Sequence, residues 1–135
     1  MEVIVCLDDK GGMLFNRRRQ SRDKALVEDV LHRSVGRRLV ISSFSAAIFP
    51  EGTAEIIADE DFLGDIGQGD VCFVENKSLQ PIAGQIDCLV VYRWNRVYPA
   101  DFYCDIDLDG WHLQESADFV GSSHDKITRE VYSRC

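Results

Sequence analysis

Basic side chains are concentrated in one stretch of an otherwise acidic chain. Residues 10–38 hold nine of the fifteen: Lys10, Arg17, Arg18, Arg19, Arg22, Lys24, Arg33, Arg37 and Arg38. Only Asp23, Glu28 and Asp29 oppose them there. The guanidinium groups of Arg17, Arg18, Arg19 and Arg22 could hold an anionic ligand or an acidic partner. A solvated face around a loop and a helix accounts for the same residues more simply. The net charge of −8 works against general nucleic-acid binding, because phosphate backbones attract net-basic faces.

Other chemistries lack their residues. The three histidines, His32, His112 and His124, form no His-x-His or His-Glu-x-x-His pattern, so a metal-dependent hydrolase has no ligand cluster. The His124-Asp125 pair falls in a turn and reads as structural. Asp101, Asp105, Asp107 and Asp109 lack the glycine and glutamate framework of a calcium loop. There is no Gly-x-Ser-x-Gly elbow and no phosphate-binding loop. The five cysteines, Cys6, Cys72, Cys88, Cys104 and Cys135, are odd in number and form no Cys-x-x-Cys pair. They are expected to be buried thiols in a reducing cytoplasm. Cys6 has no assignable histidine base, so burial explains it better than nucleophilic catalysis.

These side chains need elements to position them. Val3–Leu7 is an apolar, β-branched run expected to be a buried strand. It has no basic leader or cleavage site and does not read as a signal peptide. No apolar run approaches the roughly 18 residues of a membrane span. Asp8 to Gly12 reads as a loop. Ser21 or Asp23 could cap a helix running to about Ser34, with Leu26, Val27, Val30 and Leu31 as its apolar stripe and Gly36 beyond its end. Further strands are expected at Leu39–Ile41, Ala54–Ala58, Val71–Val74 and Asp87–Tyr92. Helical turns are expected at Ser45–Phe49, after Asp59 with Phe62, Leu63 and Ile66 inward, and over Ser78–Gln85. The last third reads as strands only, near Trp111–Phe119 and Lys126–Arg134. Strand and helix alternation implies a parallel sheet with helices on both faces, and the β-only tail an antiparallel edge. We therefore expect a single three-layer α/β domain over residues 1–135, its central sheet mostly parallel with an antiparallel C-terminal edge.

Several segments, in order, resemble the dihydrofolate reductase family. Phe102-Tyr-Cys-Asp-Ile-Asp107, then Trp111, then Thr128-Arg-Glu-Val-Tyr132 is similar to that family's C-terminal sequence. Val5-Cys-Leu-Asp-Asp-Lys-Gly-Gly-Met13 is similar to its first strand and loop, and Ser34-Val-Gly-Arg-Arg-Leu-Val-Ile41 to its second strand. The resemblance implies hydride transfer from a nicotinamide to a pterin, with one buried carboxylate beside the pterin. Aligned without gaps from Gly12, the family's Leu-Pro-Trp falls on Arg19-Gln-Ser21 and its acid on Leu26. At about 100° per residue, Asp23 lies about −300° and Glu28 about +200° from Leu26, so Asp23 is the better stand-in for that acid. The threonine that holds the acid corresponds to Tyr92. The glycine pair that approaches the cofactor pyrophosphate corresponds to Glu75-Asn76, and the Gly-Arg-x-Thr after the second strand to Ser42-Ser-Phe-Ser45. Between Pro50 and Ala54 the chain is too short for the next strand and for the Ser-Arg that grips the 2′-phosphate. Thr53 stands where the folate-tail arginine belongs.

The expectation is therefore a dihydrofolate reductase-like protein that is not a folate reductase and binds a small ligand or a protein. Its candidate pocket is Cys6, Met13, Leu26, Val30, Ser45, Phe49 and Tyr92, with Arg17, Arg18, Arg19 and Arg22 at the mouth. No catalytic residue, metal or cofactor is expected. An NAD(P)H-dependent reductase of a non-folate substrate is the alternative, and only that reading calls for NADPH. A nucleic-acid-processing enzyme is the weakest reading. Loss of a βα unit could expose a sheet edge to a second copy, giving a homodimer.

Overall fold

A computed structural model describes residues 1–50, 55–59, 61–64 and 66–134. Thr53, Ala54 and Cys135 lie outside the described residues. The chain runs β1 (Glu2–Leu7), β2 (Gly12–Phe15), β3 (Arg18–Arg19), α1 (Lys24–Arg33), β4 (Arg38–Ile41), α2 (Ser43–Ala46), β5 (Glu55–Ala58), β6 (Val71–Phe73), β7 (Cys88–Arg93), β8 (Phe102–Tyr103), β9 (His112–Phe119) and β10 (Ile127–Ser133). Two 3-10 turns, Phe62–Gly64 and Gln80–Gln85, flank β6.

The strand runs seen in the sequence pair into a sheet of order β5-β4-β6-β1-β7-β10-β9. Strands β5, β4, β6, β1 and β7 are parallel. Strand β10 runs antiparallel to β7 and to β9, forming the expected C-terminal edge. Alternation along β1 divides the core. Ile4 and Cys6 face a cluster with Leu26, Val27 and Val30 of α1, while Val3, Val5 and Leu7 face the other side. A register shift at Val131/Tyr132 breaks the regularity of the β9–β10 edge, a feature that discourages further strand addition.

Helix α1 forms where its cap and apolar stripe predict. Asp23 has extended backbone and accepts from the amides of Ala25 and Leu26, and the apolar residues Leu26, Val27 and Val30 turn inward. Ser34 closes the end by donating its hydroxyl to the Val30 carbonyl at 2.7 Å. Gly36 then takes a left-handed φ of 81°, open to glycine at no steric cost.

The elements differ in detail from those expected. Helices were expected on both faces of the sheet, but only α1 is long. The opposite face is covered by the two 3-10 turns, through Phe62, Leu79, Ile82 and Ile86, and by Met13, Leu14 and Phe102. Pro81 sits among the first residues of the second 3-10 turn, where its missing N–H would have no helical acceptor. Met13, Leu14 and Phe102 lie in a small sheet of order β3-β2-β8, in stretches to which the sequence assigns no element. Phe15 pairs with Arg18 across a two-residue turn, with Asn16 at φ 51° and Arg17 at φ 61°.

Candidate functional site

The carboxyl ends of parallel strands are where open α/β sheets place ligands. Here β1 leads into Asp8, β4 into Ser42 and α2, β6 into Val74, Glu75 and Asn76, and β7 into Trp94. Of the residues expected to line a pocket at that end, Cys6, Leu26, Val30, Phe49 and Tyr92 do come together. They meet as packed core, and Phe49 also borders an open groove. Leu26 is 2% exposed and Tyr92 fully buried. Phe49 meets Phe73 edge-on at 5.3 Å, and Tyr92 meets Phe119 edge-on at 6.2 Å. Met13 packs in the cluster on the other face of the sheet.

Ser45, also fully buried, belongs to a polar group at the end of β6. Its hydroxyl donates to Glu75 Oε1 at 2.8 Å. Arg19 grips the same carboxylate in two places, Nε to Oε2 and an Nη to Oε1, both at 3.0 Å. Its guanidinium also donates to the Phe44 carbonyl at 2.8 Å and lies 4.3 Å above the Phe44 ring. Arg19 is therefore committed inside the protein, whereas Arg17, Arg18 and Arg22 are exposed. Burial pushes the Cys6 thiol well above its ordinary pKa, and the Glu75 charge adds to this, so Cys6 is a poor nucleophile.

Asp23, the stand-in weighed for the family's acid, is engaged by several partners within the protein. Besides capping α1, it accepts from the backbone amides of Ser122 and Ser123 at 2.8 and 2.9 Å. His124 Nδ1 lies 3.0 Å from its Oδ2. His124 Nε2 in turn lies 2.7 Å from the Tyr98 hydroxyl, and the imidazole stacks on Trp94 at 4.5 Å. Burial alone would raise the Asp23 pKa. The amides of Ser123 and Ser122, with His124 and Leu26, outweigh it and hold the carboxyl well below the usual range. A side chain on Gly121 would collide with this carboxylate and with Ile127.

A second network was not anticipated. The Tyr92 hydroxyl donates to Asp29 Oδ2 at 2.5 Å. Arg129 contacts both Asp29 oxygens, at 2.9 and 2.8 Å, and reaches Glu115 at 2.8 Å. Burial, with the Asp29 carboxylate second, raises the Tyr92 pKa strongly, so the phenol stays protonated. Helical spacing carried the signal: three residues on from Leu26, Asp29 returns to within about 60° of the same direction.

The open spaces lie outside the expected pocket. A groove of about 710 Å³ runs between α1 and the segment after α2. Its walls include Val27, Leu31, Ile48 and Phe49, and its rim Arg22, Lys24 and Glu28. Phe49 and Arg22 are the residues it shares with the expected site. A second cleft of about 550 Å³ lies by Leu14, Arg17, Phe44, Asn76, Asp101 and Phe102. Among the described residues no group of His, Cys, Asp and Glu could hold a metal, and no helix is long and apolar enough to cross a membrane.

No protein-family model matches the chain, and no curated protein matches it significantly. Solved structures do. A dihydrofolate reductase from Enterococcus faecalis, complexed with NADP(H) and RAB-propyl, superimposes with a TM-score of 0.69 over 98% of this chain and 94% of that one, at 13% sequence identity. At that identity the likeness establishes architecture, and the architecture is dihydrofolate reductase-like.

Proposed function

We propose that this protein keeps a dihydrofolate reductase-like fold as a binding module and does not reduce folates. One observation carries the reading: the interior of the site is filled by the chain's own side chains, while the groove beside α1 is open. Leu26 supplies neither a hydrogen bond to a pterin nor a proton. Tyr92, at the place of the partner hydroxyl, is turned to Asp29.

The ends of β4 and β6 do not fit a dinucleotide. Glu75 presents a carboxylate where phosphates would approach the backbone, and the Arg19 guanidinium and Phe44 ring occupy the space in front of it. The NADP(H) in the Enterococcus faecalis complex favours the second reading, a reductase of a non-folate substrate. That reading requires the Arg19–Glu75 pair to give way. The net charge of −8 weighs against a nucleic-acid-processing enzyme. The free thiols Cys6, Cys72, Cys88 and Cys104 support a reducing, cytoplasmic setting.

The groove chemistry suits an apolar group carrying an acid: Val27, Leu31 and Phe49 for the body, Arg22 and Lys24 for the charge. A panel of small aromatic carboxylates tests this by thermal melting. At about ten times its Kd a ligand adds about 1.4 kcal/mol, or about 5 °C for a domain of this size. Leu31→Glu should abolish the shift, because it places a like charge in the apolar wall. If no acid moves the melting curve, or the variant responds like the parent, the groove is not the site.

A further inference from the structure

Arg17, Arg18, Arg22 and Lys24 have no carboxylate partner among the described residues, although the chain as a whole is strongly acidic. By contrast Arg19, Arg33, Arg37, Arg93 and Arg129 are all ion-paired. These four sit together in the chain, whereas the other basic side chains without an ion pair among the described residues, Lys10, Lys77, Arg96, Lys126 and Arg134, are spread along it. Arg18 and Arg22 are four residues apart, so their Cα atoms are at most about 14 Å from one another. Arg17 occupies the second central position of the β2–β3 turn at φ 61°, where glycine is the favoured residue. Arg17 is exposed at this position. Phe15, opposite Arg18 in the register, is 49% exposed beside it.

The exposed basic side chains thus run along the chain from Arg17 and Arg18 at the hairpin to Arg22 and Lys24 at the groove rim, which also holds Glu28. That is more than one small acid needs. The complementary occupant is an anionic chain. A long polyanion would also meet the acidic remainder of the protein, and a short segment touching this face alone would not.

We propose that the α1 groove and the β2–β3 hairpin together form a docking surface for a short acidic segment of a partner protein. An apolar side chain of that segment seats against Val27, Leu31 and Phe49, and its carboxylates lie along Arg22, Arg18 and Arg17. This rests on the reading of the groove as the binding site and names its occupant.

Fluorescence anisotropy of the full chain with a labelled peptide of glutamates around one phenylalanine tests it. Saturable binding in the micromolar range is expected. It should weaken roughly tenfold in an Arg17→Ala/Arg18→Ala/Arg22→Ala variant, since each exposed pair contributes modestly. It should also weaken at about 0.5 M salt and when glycine replaces the phenylalanine in the peptide. These arginines are exposed, and an unchanged melting curve verifies that the variant is folded. Equal binding of a lysine-for-glutamate peptide, unchanged binding by the triple variant, or tighter binding of oligothymidylate overturns the proposal. If the peptide fails while small aromatic carboxylates still shift the melt, the groove stands and the partner falls.

Discussion

Asp23→Ala should be among the most destabilising single substitutions in this chain, costing about 3–5 kcal/mol. Removing a helix cap alone costs about 1 kcal/mol. Here the same carboxylate also satisfies the amides of Ser122 and Ser123 and faces the His124 imidazole, in a place where Asp23 is 3% exposed. Each buried donor left without its acceptor adds about 1–3 kcal/mol, with partial relief if the loop shifts toward water. The melting temperature should fall by about 10–20 °C. The pH dependence has a definite sign. Because the folded-state pKa of Asp23 is depressed, its contribution is fully present above its unfolded pKa of about 3.9 and is lost as pH falls below that value. Urea unfolding across this range should show the parent losing stability steeply in acid and Asp23→Asn losing less. A cost below about 1.5 kcal/mol would mean that residues 121–124 do not depend on this carboxylate.

The second large effect concerns Leu26. Restoring an acid by Leu26→Asp should destabilise the protein by about 3–5 kcal/mol and should not produce folate reduction. The leucine packs in the cluster of Cys6, Val30, Phe49 and Tyr92. A carboxylate there loses that packing and meets no free donor, since the Tyr92 hydroxyl is engaged by Asp29. Burial would raise the pKa of the new acid, so its penalty is greatest above that pKa. The stability gap between variant and parent should therefore narrow as pH falls from about 7 toward 4. The expected activity with dihydrofolate and NADPH is none, because the phosphate side of the site is still closed by Glu75 and Arg19. A folded Leu26→Asp protein that oxidises NADPH with dihydrofolate would contradict the proposal.

Elements with a local cause were legible in the sequence. The cap at Asp23 with the Leu26, Val27, Val30 stripe specifies α1 within a single window. The β-branched run of β1 and the apolar runs of β6 and β7 specify buried strands, and their order specifies a parallel sheet. What stayed hidden depends on partners far along the chain. Strand β2 exists because Leu14 pairs with Arg19 on one side and Phe102 on the other, and Arg18-Arg19 carries no strand signal of its own. The Arg19–Glu75 pair joins residues 56 apart and the Asp23–His124 pair residues 101 apart. Glu75 alone reads as a repulsive charge at a phosphate site. Only the fold brings Arg19 onto it and makes the same carboxylate part of a packed, neutralised group.

That group also explains why the expected pocket moved. Packing this end of the sheet as core needs apolar contacts and satisfied polar atoms together. Leu26, Phe49 and Tyr92 supply the first. Asp29 with Arg129, and Arg19 with Glu75 and Ser45, supply the second. What remains open is the outer face of α1, which shares Arg22 and Phe49 with the expected pocket.

The central claim is that this fold no longer holds a nicotinamide cofactor. Isothermal titration of the full chain with NADPH, with and without dihydrofolate, tests it most directly. The account predicts no binding heat with up to about 100 μM NADPH and no loss of nicotinamide absorbance when dihydrofolate is added. Saturable binding tighter than about 10 μM, roughly −7 kcal/mol, would contradict it and establish a working cofactor site.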